Sequence, residues 1–83
     1  MVRIVFFASI REDLGKEGVT IDISGPTRLS EIIDSLIQGG GEKWKSVLTA
    51  ENVQIAVNQE LVNGDIGVND NDEIAFFPPV TGG

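Results

Sequence analysis

The sequence predicts an α+β roll: a mixed five-stranded sheet with one main helix packed across one of its faces. Three observations lead there. Apolar and polar residues alternate with period two at both ends of the chain and again after residue 52. A single long segment, Leu29 to Ile37, carries apolar residues at helical spacing. Glycine, proline and asparagine cluster between these segments, where turns belong.

Taken in order, Val2 to Ser9 reads as the first strand, with Val2, Ile4, Phe6 and Ala8 on one face and Arg3, Val5, Phe7 and Ser9 on the other. Ile10 to Leu14 suits a helical turn ended by Gly15. Val19, Ile21 and Ile23 alternate with Thr20 and Asp22, so a second strand pairs antiparallel with the first through a turn at Lys16-Glu17-Gly18. After the break at Ser24-Gly25-Pro26, Thr27 is the expected N-cap, its hydroxyl accepting from a free helix N–H. Leu29, Ile32, Ile33, Leu36 and Ile37 then form the buried stripe of the main helix, which Gly39-Gly40-Gly41 should end. Glu42 to Leu48 predicts a second short helix with Trp44, Val47 and Leu48 inward. Val53, Ile55 and Val57 mark a third long strand. Asn58-Gln59 turns into a short strand at Glu60 to Val62, and Glu73 to Phe77 is the last strand, stopped by Pro78-Pro79. Strands and helix in this order suggest the ubiquitin-like β-grasp arrangement. By analogy with that fold, and not from periodicity, the first and last strands lie parallel at the centre of the sheet. Residues 1–77 would form the domain and residues 78–83 a flexible Gly-Gly tail.

Composition narrows the chemistry. The chain of 83 residues has no Cys and no His. It therefore lacks a thiolate nucleophile, the commonest general base and the commonest zinc ligand. No metal site is expected: Asp70, Asp72 and Glu73 read as a polar turn. The net charge of −7 disfavours a phosphate-binding surface and hence nucleic acid, and suits steering towards a basic partner. The apolar run near Met1 is too short for a membrane span and lacks the flanks of a signal peptide, so a cytoplasmic protein with no membrane partner is expected. What remains is the carboxylate of Gly83 behind a thin, extended tail. Lacking a Cβ, Gly82 and Gly83 let other backbones approach closely. From Pro78 to Gly83 an extended arm reaches roughly 20 Å, with Pro78-Pro79 stiffening its base.

The ending Phe76-Phe77-Pro78-Pro79-Val80-Thr81-Gly82-Gly83 resembles that of a family of sulfur carriers, the small subunits of molybdopterin synthase. Three further segments are similar: Val5-Phe6-Phe7-Ala8 with Ile10-Arg11-Glu12, Ala56-Val57-Asn58-Gln59 with Leu61-Val62, and Asp72-Glu73-Ile74-Ala75. Gly39 to Asn52 is the least typical stretch. The resemblance implies that a ubiquitin-activating-like adenylyltransferase uses ATP to adenylate Gly83, and that a sulfur donor converts the acyl-adenylate to a thiocarboxylate. The tail, Pro78, Pro79, Val80, Thr81 and Gly82, would then carry the sulfur into a large synthase subunit, which holds the catalytic site and completes a heterotetramer. The chain would be no enzyme alone and would bind no cofactor of its own.

The same resemblance places Phe7, Arg11, Leu61 and Phe77 against the large subunit. The pattern agrees independently for two of them, because Val5, Phe7, Ala75 and Phe77 share the sheet face that an 83-residue chain leaves without a second layer. Three other readings stay open: a modifier joined to lysines through Gly83, a sulfur carrier for thiamine thiazole synthesis, and a plain interaction domain. The thiazole carriers lack the Phe-Phe-Pro-Pro-Val-Thr run.

Overall fold

The computed structural model describes residues 1–79; Val80, Thr81, Gly82 and Gly83 lie outside the described residues. Seven strands and three helices follow in the order β1 (Val2–Phe6), α1 (Ala8–Leu14), β2 (Gly18–Ile21), β3 (Thr27–Arg28), α2 (Leu29–Gly40), α3 (Glu42–Leu48), β4 (Gln54–Val57), β5 (Glu60–Leu61), β6 (Gly67–Val68) and β7 (Glu73–Phe77). Five strands form one sheet in the order β2-β1-β7-β4-β5. The first and last strands are parallel at its centre, with Ile4 opposite Ile74 and Phe6 opposite Phe76. This is the mixed β-grasp sheet that the sequence predicts.

Alternation in the strands decides what the sheet buries. Val2, Ile4, Phe6, Ile74 and Phe76 are each at most 1% exposed. They meet Leu29, Ile32 and Leu36 of α2, Ile10 and Leu14 of α1 and Leu48 of α3 in one cluster. Each buried aliphatic or aromatic side chain there contributes about 1.5–3 kcal/mol. Phe6 is the hub: its ring stands edge-on to Trp44 at 5.4 Å and is tilted against Phe76 at 5.8 Å.

Several expected boundaries move. The first strand ends at Phe6, not Ser9. Ala8 adopts φ 51°, a left-handed turn that swings the chain from the sheet into α1. The second strand ends at Ile21, and Ile23 only packs beside the core. Val53 precedes β4. Gly39 and Gly40 stay inside α2, and Gly41 alone, at φ 84°, breaks the helix from α3. Gly40 has a packing reason to be glycine: a Cβ there would lie 2.1 Å from the Trp44 ring. The Asn58-Gln59 turn is as expected. Both residues take positive φ, the primed geometry that suits a two-residue hairpin loop.

The helix cap differs most. Thr27 does not cap α2. It pairs with Val68 in a two-stranded β3–β6 ladder that the sequence analysis did not anticipate, and its hydroxyl donates to the Gly25 carbonyl. The cap comes from 35 residues away: the Ser30 N–H and hydroxyl donate to the two Asp65 carboxylate oxygens at 2.9 and 2.8 Å. The Leu29 N–H donates to Ile66 O at 2.8 Å. The Ser30 N–H bond, followed by the Ser30 hydroxyl and nearby Arg28, lowers the Asp65 pKa from its ordinary 3.8.

Two outcomes follow from this packing. Gly40→Ala should gain about 1 kcal/mol of helix propensity but lose about 1–3 kcal/mol to overpacking against Trp44. The net result is a lower Tm and an altered Trp44 emission spectrum. The folded pKa of Asp65 lies below its unfolded value, so its stabilising effect is present above the unfolded pKa and disappears as pH falls through the folded one. Asp65→Ala should therefore lower Tm at pH 7, and the gap from the parent should close below pH 4, by circular-dichroism melts across that range.

Candidate functional site

The outward face of the sheet is built by the complementary half of each strand's alternation. Its register lays Val5 beside Ala75, Ala75 beside Ala56 and Ala56 beside Leu61, one row across four strands. Among the described residues no helix or second sheet contributes to this row, and the three helices put their buried residues into the core on the other side. One step further towards the end of β7, Phe77 pairs with Gln54. Phe7, still extended at φ −117° and ψ 153°, donates its N–H to Phe76 O at 3.0 Å. Phe7 and Phe77 therefore continue the outward sets of two adjacent, parallel strands.

Exposure separates these residues from the core. Phe7 is 47% exposed and Leu61 67%, while Phe77 is half-buried. Large apolar side chains held in this way cost solubility, and a group of them marks a contact surface. Arg11 is exposed on α1, four residues past Phe7, and its backbone N–H turns back to Phe7 O. Towards the other end of the same face the character changes: Arg3 pairs with Glu73 at 2.7 Å. The face thus grades from charged to apolar in the direction in which β7 leaves the sheet.

Beyond Phe77 the chain does not leave the body at once. Pro78 and Pro79 are half-buried and border a groove of about 270 Å³ together with Ile10 of α1, Val47 of α3 and Val53. The remaining tail residues named from the sequence, Val80, Thr81, Gly82 and Gly83, lie outside the described residues. The polar turn has its own internal partners. Asp72 accepts from the Asn69 N–H at 2.8 Å and from Asn58 Nδ2 at 3.0 Å, Asp70 contacts the α-amino group of Met1, and Glu73 is taken by Arg3. The Asn58 side chain also accepts from the Glu73 N–H, tying the β4–β5 turn to the start of β7.

Ala56 is the residue of this face that the sequence reading missed. The signal was present, since Ala56 must point away from the sheet's core face if Ile55 and Val57 point towards it.

The fold and this site define a small ubiquitin-like β-grasp domain with exposed apolar side chains on its outward face beside the end of its last strand. The chain belongs to the ThiS family, whose model matches residues 4–83. More particularly, it resembles a relative from Escherichia coli strain K12 named molybdopterin synthase sulfur carrier subunit, 37% identical over 83 residues and covering 100% of both chains. A relative of the same name from Haemophilus influenzae is 36% identical, again over the full length of both. Among solved structures, the complex of subunits 1 and 2 of molybdopterin-converting factor from Helicobacter pylori contains a chain 28% identical, with a TM-score of 0.67, covering 99% of this chain and 97% of that one. Small archaeal modifier protein 1 from Methanosarcina acetivorans shares the fold, with a TM-score of 0.79 at 21% identity, covering 99% of this chain and 95% of that one.

The geometry separates surface from core within one dipeptide. Phe7→Ala should cost less than about 1 kcal/mol, because half of the ring is already in water. Phe6→Ala should cost about 3–5 kcal/mol. Urea denaturation of the two variants measures the difference.

Proposed function

We propose that this chain is the sulfur-carrying small subunit of a molybdopterin synthase. The observation that carries the reading is the full-length match to relatives of that name, taken with an exposed apolar end of the sheet at the root of a Gly-Gly ending. Among the described residues no group of His, Cys, Asp and Glu is arranged to hold a metal. The reactive group in this reading is the carboxylate of Gly83.

A carboxylate resists attack by a nucleophile. Reaction with ATP joins it to AMP as a mixed anhydride and releases pyrophosphate. Nucleophilic sulfur from a donor then displaces AMP, leaving the thiocarboxylate. Delivery bonds that sulfur to a cyclic pterin precursor, and water then cleaves the acyl carbon–sulfur bond, leaving the sulfur on the pterin and returning the carrier as the carboxylate for a second turnover. ATP would be held by the activating enzyme, and the pterin pocket and catalytic side chains by the large subunit. This chain contributes docking and reach. Phe7, Leu61 and Phe77 would seat on the large subunit, with Arg11 adding a polar contact at the edge. Proline at positions 78 and 79 limits the conformations lost when the tail enters a cleft. The Helicobacter pylori relative is found in a complex of two subunits, which supports the pairing. No helix among the described residues is long and apolar enough to cross a membrane, which is compatible with cytoplasmic assembly.

The modifier reading rests on the same carboxylate and differs in its acceptor, a lysine amine in place of sulfur. Intact mass distinguishes them: replacement of one oxygen by sulfur marks the carrier, and lysine-linked conjugates mark the modifier. Deleting Gly83 should leave the Tm unchanged and abolish sulfur transfer with the activating enzyme, ATP and large subunit supplied; retained transfer would refute the tail mechanism. Phe77→Ala should weaken co-purification with the large subunit by about tenfold or more, as loss of an aromatic anchor does, while adenylation persists.

A further inference from the structure

Of the five asparagines in the chain, Asn63 alone precedes a glycine. That order is chemically reactive. The side-chain carboxamide lies within reach of the next backbone nitrogen, and glycine, with no side chain, leaves that nitrogen unshielded. Asparagine counts among the thermolabile residues for this reason. The fold decides whether the pair is held apart or left free.

Here it is left free. Asn63 and Gly64 are exposed between β5 and β6, where residues 62–66 form neither helix nor strand. Among the described residues, the Asn63 carboxamide has no hydrogen-bond partner and the Gly64 N–H has no acceptor. A Cβ built on Gly64 would meet nothing within 4 Å, so no neighbour walls the nitrogen in. The other asparagines are held differently. The Asn58 carboxamide is engaged at both ends, donating to Asp72 and accepting from the Glu73 N–H, each at 3.0 Å. The nitrogens that follow Asn52 and Asn71 are occupied, Val53 N–H by Ala50 O and Asp72 N–H by Asn69 O. Asn69 is followed by Asp70, whose side chain shields its nitrogen.

The residues just beyond Gly64 hold the start of α2. Asp65 accepts from the Ser30 N–H and hydroxyl, Ile66 O accepts from the Leu29 N–H, and Gly67–Val68 pairs with β3. The spacing of all three contacts is set by the chain that enters through Asn63 and Gly64.

We propose that Asn63 is a site of spontaneous deamidation and that its product uncouples the start of α2. The Gly64 nitrogen gives up its proton to base and attacks the side-chain carbonyl carbon of Asn63. A new C–N bond closes a five-membered succinimide, and the carboxamide nitrogen leaves as ammonia. Water then adds to one ring carbonyl and breaks its bond to the Gly64 nitrogen. Opening at the side-chain carbonyl gives aspartate. Opening at the backbone carbonyl gives isoaspartate, in which the main chain runs through the side-chain carbons. Isoaspartate thus lengthens the main chain by one carbon two residues before Asp65, which displaces the Asp65 carboxylate from Ser30. It also adds a second negative charge near the cap.

The intact protein, held at 37 °C and sampled over days at pH 6 and pH 9, tests this by intact mass, peptide mapping and methyl transfer from an isoaspartyl methyltransferase. The expected product has NH2 replaced by OH, maps to residue 63, accepts methyl groups and forms several-fold faster at pH 9, because the Gly64 nitrogen must lose a proton. Its Tm should fall by about 4–8 °C, the shift for loss of one helix cap in a domain of this size. Asn63→Gln, which would have to close a larger ring, should keep its mass and its Tm under the same treatment. No mass change, a change mapped to another asparagine, an isoaspartate product with the Tm of the parent, or an equal loss of Tm in Asn63→Gln would each overturn the proposal.

Discussion

The parallel pairing of β1 with β7 is the constraint on which the rest of this molecule depends. It joins segments about 70 residues apart, so its closure entropy must be offset by what it buries. The offset lies in the register. Opposing Ile4 with Ile74 and Phe6 with Phe76 assembles the largest fully buried side chains in one step, and Trp44 and α2 cover them from the helical side. A slip of one residue would turn those side chains to water and bring Val5, Phe7, Ala75 and Phe77 inward. Core and outward face are therefore two halves of one pattern, and neither can change register without the other.

The same pairing links fold to proposed function. Because β7 lies at the centre of the sheet, its end is held on both sides, by Phe7 through the Phe76 carbonyl and by Gln54 through Phe77. The chain that continues into the Gly-Gly ending starts from a rigid platform, and Pro78 and Pro79 remain against the α1 and α3 side. A carried group is useful only if its carrier presents it reproducibly. A firmly held root is available here because the ending follows a central strand, and not an edge strand that can fray.

Particular residues show how far local pattern reaches. Period-two alternation located the three long strands, and the Asn58-Gln59 hairpin followed from turn chemistry, since asparagine tolerates positive φ. Phe7 and Phe77 were legible as outward residues for the same reason. The misses share one cause. Phe7 and Ala8 continue the alternation of β1, yet the chain turns there, because helix α1 must bring Ile10 and Leu14 onto the core. Thr27 has the side chain of a cap but sits opposite Val68, and Asp65 takes its role. The β3–β6 ladder is too short to leave a periodic signature.

By itself the sequence determined which residues are apolar at which period, where the chain must turn, and that cysteine and histidine are absent. These are properties of near neighbours and of composition, and they need no partner in space. The tertiary structure decided that Gly40 makes room for Trp44, that Asp65 caps a helix 35 residues distant, and that Ala56 completes the apolar row between Ala75 and Leu61. Each depends on a contact between segments far apart in the chain, whose geometry exists only once β1 and β7 have paired.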